Sequence, residues 1–224
     1  MKILLYLSHP ERKSFNGQAA DRMVTHFKSK GHEVKFVDLY GIKFNPVGGR
    51  EDFKSLQNDE KFDYQHEQRH AAEQHLYADD VQKEMDNLKW CDLAVFQFPL
   101  YWFSVPAMVK GYFDRILAYH WAYGGGKSLD GRKIFLSTTT GGSEKMYSKD
   151  GYWGLTIDEF LMSFNIATAK LIKMECLPTF VAYGVNFAKN EEKAAMLDDL
   201  EAHIDKHILA EKDTNEEDTK EEKK

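Results

Sequence analysis

Apolar positions along the chain fall either into short continuous runs or into longer stretches with helical spacing. The run at 2–8 (KILLYLS) is apolar and bounded by turn residues, which predicts a strand buried on both faces of a sheet. Residues 33–39 alternate and predict a half-buried strand, while 15–30 predict a helix that ends at Gly31. The first 39 residues therefore predict a strand–helix–strand unit.

The same alternation continues to the end of the apolar pattern. Further strands are predicted within 91–100, at 132–140 and at 179–185. Further helices are predicted at 79–90, 105–117, 154–173 and about 197–208. Strands that alternate with helices predict an α/β domain with helices on both faces of a parallel sheet. Five strands favour the flavodoxin-like order 2-1-3-4-5.

Two segments stand apart from this pattern. Residues 40–78 are polar and weakly periodic, and they are too long for an ordinary connection inside a compact domain, so we expect this excursion to have a function. Residues 211–224 are charged and lack apolar anchors, which predicts a disordered acidic tail after a single domain at 1–210.

Composition narrows the class of protein. The formal charge of −6 leaves no basic surface for nucleic acid or an anionic membrane. No apolar run approaches the roughly 18 residues of a membrane span, and the N-terminus has no signal-peptide pattern, so a soluble cytoplasmic protein is expected. Cys91 and Cys176 have neither metal-site nor disulfide-framework spacing and are expected to be free thiols.

The ligand site of such a sheet lies beyond the carboxyl ends of strands one and three. The loop after strand one places cations, a hydroxyl and an amide beside a helix N-terminus, which favours a phosphate. These residues are His9, Arg12, Lys13, Ser14 and Asn16. The loop lacks both GxGxxG and the P-loop signature, and an ordinary helix cap in a solvated turn remains an alternative.

The other two loops add an aromatic wall and a polar edge. Residues 96–103 (FQFPLYWF) carry five rings at the end of strand three, where packing as core is the alternative. Residues 138–142 offer three hydroxyls and two glycines, where a plain glycine turn is the alternative. Together the three loops match the phosphate, the tricyclic ring and the polar pyrimidine edge of a flavin.

Four segments closely resemble the NAD(P)H:quinone oxidoreductases of the DT-diaphorase type, which are flavodoxin-like dimeric flavoenzymes. They are FQFPLYWFSVPAMVKGYFDRIL, SHPERKSFN, LSTTTGGSEKMYS and FNP at 44–46. The resemblance runs in the same order along both sequences, from about residue 3 to residue 186. The resemblance implies FAD, with FMN as the alternative, and a homodimer in which 40–78 contacts the partner. It implies two-electron hydride transfer from NADH or NADPH through the flavin to a quinone or similar acceptor, by a ping-pong mechanism.

The resemblance also implies roles for particular residues. The phosphate and adenosine side of FAD would be held by His9, Phe15, Asn16 and Gln18. The isoalloxazine would be framed by Pro99, Leu100, Trp102 and Phe103, and its edge bonded by Thr139, Thr140, Gly141 and Gly142. Tyr147 would be the catalytic residue that helps stabilise charge on the reduced ring. Trp121 and Tyr123 would line the substrate pocket of the partner subunit.

One position departs from the pattern of the vertebrate members. They carry a histidine six residues after the catalytic tyrosine as a proposed proton-relay partner, and this chain has Trp153 there, at the substrate site. Proton supply must then come from Tyr147, water or another residue. Alternatives are a nitro- or azoreductase, a regulatory flavoprotein attached to a potassium-efflux system, and a one-electron carrier like flavodoxin.

Two further patterns carry no chemistry of their own. The histidines at helical spacing, namely His66, His70, His75, His203 and His207, lack a general-base motif and are expected to be solvated, so no metal site is predicted. Asp114 and Arg115 are expected to form an interface or local ion pair.

Overall fold

The computed structural model describes residues 1–210. Its strands are β1 (Lys2–Leu7), β2 (Glu33–Asp38), β3 (Leu93–Pro99), β4 (Lys133–Thr139), β5 (Glu175–Cys176) and β6 (Phe180–Ala182). Its α-helices are α1 (Phe15–Ser29), α2 (Tyr64–Gln74), α3 (Asp79–Trp90), α4 (Ala107–Ile116), α5 (Ile157–Phe160), α6 (Ala169–Leu171) and α7 (Asn190–Ile204). The 3₁₀ turns are Arg50–Asp52 and Glu144–Tyr147, and the π-helical segments are Ser163–Thr168 and Asp205–Leu209.

The strands form one parallel sheet, and the predicted order 2-1-3-4-5 is confirmed. The fifth position differs from the prediction because it is divided between two short strands. Both pair with β4, β5 with its beginning and β6 with its end. Pro178 lies between them and has no N–H for the ladder, which explains the interruption. The fifth position therefore begins at Glu175, before the predicted residue 179, and ends at Ala182, before the predicted residue 185.

Alternate side chains of the central strands pack into two separate cores. Leu4 and Tyr6 point to the face covered by α3 and α4, whereas Ile3 and Leu5 point to the face covered by α1 and α7. All four side chains are fully buried. This arrangement confirms helices on both faces and explains why the 2–8 run has no polar side.

Helix boundaries follow local capping chemistry. Ser14 Oγ accepts the Gly17 N–H at 3.2 Å and starts α1, and Gly31 follows its end at φ +80°. The predicted helix at 154–173 is shorter and irregular, because a capping box between Thr156 and Glu159 starts α5 and a π turn precedes α6.

The 40–78 excursion is better ordered than its weak periodicity suggests. It contains α2, and its Asp52 accepts hydrogen bonds from Tyr64 and from buried Arg115 Nε at 2.7 Å. Arg115 also donates to Asp80 at 2.9 Å and to the Asn45 carbonyl at 2.8 Å. The expected ion pair of Arg115 therefore exists, but it fastens the excursion to α3 and α4 of its own chain.

Candidate functional site

The carboxyl ends of β1, β3 and β4 lie side by side, and this adjacency brings the three predicted loops together. Ser8 N–H donates to the Gln97 carbonyl at 2.9 Å, and Leu100 N–H donates to the Thr139 carbonyl at 2.8 Å. A fourth loop, 183–188, follows β6 and joins them, because Val185 N–H donates to the Thr140 carbonyl at 3.0 Å.

The first loop presents the N-terminus of a four-turn helix. Within residues 1–210, the N–H groups of Phe15 and Asn16 donate no hydrogen bond, and they add to the positive end of the α1 dipole. His9 Nδ1 lies 2.9 Å from both the Glu11 backbone nitrogen and the Glu11 carbonyl oxygen, which leaves Nε2 as the ring nitrogen that can face a ligand. This end of α1 is suited to an anion.

Several predicted side chains of this loop serve the scaffold instead. Arg12 is held by Asp21 and by the Gly17 carbonyl, and Phe15 is buried in the core under α1. The buried Asn16 amide donates to Thr139 Oγ1 at 3.0 Å and accepts from Gln97 Nε2 at 2.8 Å. Phe15 and Asn16 can therefore offer a phosphate their backbone N–H groups, and not their side chains.

Gln18 is exposed in the first turn of α1. Its Nε2 donates to the Lys13 carbonyl at 3.4 Å, which is a long hydrogen bond. The structure thus keeps Gln18 near the helix start but records no other side-chain contact for it among residues 1–210.

The second loop is a tight turn built from two large aromatic residues. Tyr101 and Ser104 exchange backbone hydrogen bonds at 3.1 and 3.0 Å, and the central Trp102 and Phe103 have φ of 49° and 61°. Such turns normally use Asn-Gly, because the left-handed region costs other residues roughly 1–2 kcal/mol each. The Trp102 side chain is 93% exposed, so packing within the chain does not compensate for this cost. Strain that presents an exposed indole is typical of a binding surface.

Phe103 belongs to a continuous series of rings along the edge of the site. We call Trp153, Phe103, Phe160, Tyr147 and Tyr183 the aromatic row. Its successive ring centroids lie 4.8, 5.0, 6.3 and 6.1 Å apart. The row brings the predicted Phe103, which follows β3, together with the predicted Tyr147 and Trp153, which both lie between β4 and α5.

The glycine loop supplies the polar edge of the same site. Gly142 accepts from Thr140 Oγ1 at 2.7 Å and from the Gly184 N–H at 2.9 Å, so its carbonyl is fixed. Among residues 1–210, the N–H groups of Gly141 and Gly142 donate no hydrogen bond and are open to a ligand. A Cβ on Gly142 would lie 3.0 Å from Met146 Sδ and 3.1 Å from Tyr147 Cε2, so the absence of a side chain lets these two residues pack closely against the loop.

Pro99 and Leu100 connect the aromatic turn to the glycine loop. Pro99 is the last residue of β3, is buried, and pairs with Thr139 in the register of the sheet. Leu100 is half-buried, and its N–H donates to the carbonyl of Thr139, a residue of the polar edge. The positions expected to frame a flat ring are thus contiguous with those expected to bond its edge.

Trp121 and Tyr123 lie apart from the aromatic row. The Tyr123 hydroxyl accepts from Gln65 of α2 at 3.2 Å, and its ring packs on Tyr119 at 5.5 Å. Within the described chain the structure records no ring contact between these two residues and Phe103, Tyr147 or Trp153. One chain therefore does not unite them with the site, and their predicted role in a partner's pocket stays a prediction.

Phe160, Tyr183 and Asn186 belong to the site and were missed by the sequence argument. Asn186 Nδ2 would lie 3.2 Å from a side chain placed on Gly141, so it borders the glycine loop. Tyr183 directly follows β6, and the rule that ligands bind at strand ends could have identified it. Phe160 had no such signal, because its ring reaches the row only through the packing of α5.

Other reactive residues are unsuited to chemistry here. Burial raises the pKa of the Cys91 thiol to about 12 and that of Cys176 to about 11. Both cysteines are free, as predicted, but only Cys91 is fully buried and Cys176 is partly exposed. No three His, Cys, Asp or Glu within residues 1–210 come together as a metal site. The same part of the chain contains no helix that is both long and apolar enough to cross a bilayer.

The arrangement fits a flat ligand with an anionic arm. An exposed indole and the aromatic row can contact a planar ring, open glycine N–H groups can bond its polar edge, and the start of α1 can hold a phosphate. These features lie on one edge of the sheet and complement the phosphate, the tricyclic ring and the polar pyrimidine edge of a flavin. The residues present therefore fit that cofactor.

Comparison with known proteins also finds flavodoxin-like proteins and quinone reductases. A family model described as a flavodoxin-like fold matches residues 1–208. Mouse ribosyldihydronicotinamide dehydrogenase (quinone) is 35% identical over 203 residues, covering 88% of this chain and 87% of that protein. A Klebsiella pneumoniae structure assigned as a quinone reductase has a TM-score of 0.86 at 30% identity, covering 92% of this chain and 84% of that one. General stress protein 14 of Treponema denticola, solved with FMN, has a TM-score of 0.67 at 27% identity, covering 92% and 98%.

Proposed function

The chain belongs to the flavodoxin-like family, and on that premise we propose that it is a flavin-dependent oxidoreductase that reduces quinones with a reduced nicotinamide. The observation that carries the proposal is the convergence of the strained Trp102 turn, the open Gly141 and Gly142 N–H groups and the free N-terminus of α1 on one edge of the sheet. Relatives named as quinone reductases over most of this chain support the reaction class.

The cofactor would span the three loops. Trp102 and Phe103 would contact its ring system, Thr140, Gly141 and Gly142 would face its pyrimidine edge, and His9 with the start of α1 would hold its phosphate. A flavin supplies the capacity to accept and to release a pair of electrons as hydride. We propose FAD, from the resemblance of these segments, while the FMN-bound relative makes FMN the alternative. Identification of the released cofactor distinguishes the two.

The overall reaction requires one proton besides the hydride. The nicotinamide loses a hydride, and the quinone gains that hydride and one proton to become the hydroquinone. Burial raises the pKa of Tyr147, so its hydroxyl remains protonated at neutral pH and can donate. Trp153 has an N–H that can donate a hydrogen bond but does not exchange its proton as an acid. Tyr147 is therefore the protein group best placed to hold a proton at the polar edge.

The active form would be a homodimer. Trp121 and Tyr123 do not reach the aromatic row of their own chain, and a second copy could bring them to it. Met162, Ile166 and Leu171 are 56%, 45% and 58% exposed within residues 162–171. A second copy of the chain could cover this exposed apolar surface, which supports the proposal of a dimer. Light scattering at micromolar concentration tests this proposal, and a monomer under turnover conditions would overturn it.

The decisive test of function is stoichiometric turnover. Flavin-loaded protein should oxidise one equivalent of NADH, NADPH or ribosyldihydronicotinamide for each menadione reduced. Ribosyldihydronicotinamide is included because relatives are named for it. Loaded protein that oxidises none of the three donors would refute the enzymatic proposal and favour a regulatory flavoprotein.

A further inference from the structure

Gln97 is a buried amide near the end of β3, behind the proposed flavin site. It is 1% exposed, and its register partner on β4 is Ser137. Its side chain lies on the face of the sheet covered by α1, like that of Val95 two residues before it. A side chain buried this deeply does not contact a ligand at the surface of the site.

Two hydrogen bonds connect Gln97 through Asn16 to the end of β4. Gln97 Nε2 donates to Asn16 Oδ1 at 2.8 Å, and Asn16 Nδ2 donates to Thr139 Oγ1 at 3.0 Å. All three side chains are buried, although the two bonds join residues 81 and 123 positions apart in the sequence. We call Gln97, Asn16 and Thr139 the amide clamp. It joins the start of α1 to the ends of β3 and β4.

The amide clamp connects the two halves of the proposed site. Asn16 carries one of the open backbone N–H groups at the start of α1, where a phosphate would bind. Thr139 directly precedes Thr140 and the open N–H groups of the glycine loop, which would face the pyrimidine edge. The spacing between these two ends therefore depends on the amide clamp.

Other hydrogen bonds hold each half but do not join the halves. Within residues 1–210, every hydrogen bond between residues 14–17 and strands β3 and β4 uses the Asn16 amide. Ser14 Oγ caps α1, and the Gly184 N–H fixes the Gly142 carbonyl, without Gln97. Loss of the Gln97 amide should therefore loosen the spacing and leave each half intact.

Burial alone does not explain an amide at residue 97. Within the part of the chain that the structure describes, Gln97 Oε1 and the neighbouring Ser137 Oγ have no hydrogen-bond partner. Unpartnered buried polar atoms lower stability, and a methionine of similar length would avoid the one on residue 97. The amide is better explained by the residue that it holds than by the space that it fills.

We infer that Gln97 is a positioning residue that sets the spacing between the phosphate end and the pyrimidine-edge end of the flavin site. The inference rests on the proposed function, because the ligand is the flavin proposed there. A flavin joins its ring to its phosphate by a short chain, so binding of one end presents the other at a high effective concentration. That advantage is lost when the two halves of the site do not match the length of the ligand. Gln97 therefore matters only for a ligand that engages both ends.

The first test compares two ligands in flavin-free protein by fluorescence titration. FMN carries the ring and the phosphate that both candidate cofactors share, whereas lumiflavin has the ring alone. Gln97→Met keeps the side-chain length but cannot donate, so it should raise the Kd for FMN about tenfold and that for lumiflavin less than about twofold. Gln82→Met makes the same substitution on α3 and should change neither Kd. A loss for lumiflavin as large as that for FMN, or no loss for FMN, would overturn the inference.

The second test removes the other end of the amide clamp and keeps the inference testable if Gln97→Met does not fold. Thr139→Val replaces the hydroxyl that accepts from Asn16 by a methyl group, and it should show the same selective loss of FMN affinity. The Gln97→Met/Thr139→Val double variant should bind FMN no more weakly than the weaker single variant, because both residues act through one amide. Losses that multiply in the double variant would overturn the coupling.

The two proposals fail in different ways. Wild-type protein that binds neither FMN nor lumiflavin overturns the proposed function and, with it, the role of Gln97. Wild-type protein that binds FMN more tightly than lumiflavin, with both Kd values unchanged in Gln97→Met, overturns the role of Gln97 alone.

Discussion

Replacing Trp102 by asparagine should stabilise the flavin-free protein while weakening its hold on the flavin. Trp102 occupies φ 49° in a turn whose next residue, Phe103, is also left-handed. Asparagine tolerates this region better than tryptophan, and relief of the strain is worth about 1 kcal/mol. The turn is therefore expected to be more stable without the residue that makes it useful.

The opposing loss of packing is small. Trp102 is 93% exposed, so its side chain buries roughly 20 Å², worth about 0.5 kcal/mol. The net gain is about 0.5 kcal/mol, which corresponds to a rise in Tm of roughly 1–2 °C for a domain of this size. Loss of a ring contact worth about 0.5–1.5 kcal/mol should raise the Kd for flavin roughly two- to twelvefold.

Thermal unfolding of the flavin-free protein and fluorescence titration with flavin measure the two effects separately. Trp102→Phe is the matched control, because it keeps both a ring and the left-handed strain, and it should show wild-type Tm and nearly wild-type affinity. A Tm lowered by several degrees in Trp102→Asn would refute the strain argument. An unchanged Kd would show that the indole does not contact the flavin.

Three further predictions address chemistry, anchoring and pH. Tyr147→Phe should lower kcat about tenfold or more with unchanged flavin content, measured by steady-state assay and absorbance, and an unchanged kcat would exclude Tyr147 as proton donor. Asp52→Asn should lower the free energy of unfolding, measured in urea, by about 3 kcal/mol or more, because it leaves the buried Arg115 charge without its main partner. Recovery of that stability in Asp52→Asn/Arg115→Met would confirm this cause. A loss below about 1 kcal/mol would contradict it. Burial lowers the pKa of His203, so the unfolded chain binds a proton at higher pH than the folded chain does, and the free energy of unfolding should fall as the pH drops below about 6.5. His203→Phe should flatten this dependence in unfolding curves measured from pH 8 to pH 5. An equal slope in both proteins would refute the assignment to His203.

The sheet could be predicted because its signals are local. The continuous run at 2–8 and the strand ends beside 100 and 140 follow from apolar periodicity, and right-handed crossovers then determine the order. The interruption of the fifth strand at Pro178 could also have been predicted, since proline has no N–H to donate to a neighbouring strand. The irregular helix after Thr156 was not readable, because a π turn has no distinct sequence pattern.

The site was predictable only as far as residue type indicates chemistry. Trp102 could be proposed because large aromatic residues are unusual in a turn, and Gly141 and Gly142 because paired glycines allow a ligand to approach the backbone closely. Asn16 was assigned to a ligand, yet its amide bridges Gln97 and Thr139, a contact between residues far apart in sequence. Side-chain direction in such a case depends on tertiary packing and cannot be inferred from a loop alone.

The excursion shows the same limit on a larger scale. Its anchoring depends on Asp52 meeting Arg115, which lies 63 residues further along the chain. Each residue alone resembles an ordinary surface charge, and only the folded chain reveals that both are buried.

The central claim is that a flavin bound at this edge of the sheet transfers two electrons from a reduced nicotinamide to a quinone. The most direct measurement is an anaerobic stopped-flow experiment in which the absorbance of the bound flavin is followed after mixing with NADPH or ribosyldihydronicotinamide, and again after adding menadione. The account predicts one flavin per chain, full bleaching by one equivalent of donor and full recovery with one equivalent of menadione. Bound flavin that neither donor bleaches, or protein that binds no flavin at all, would contradict it.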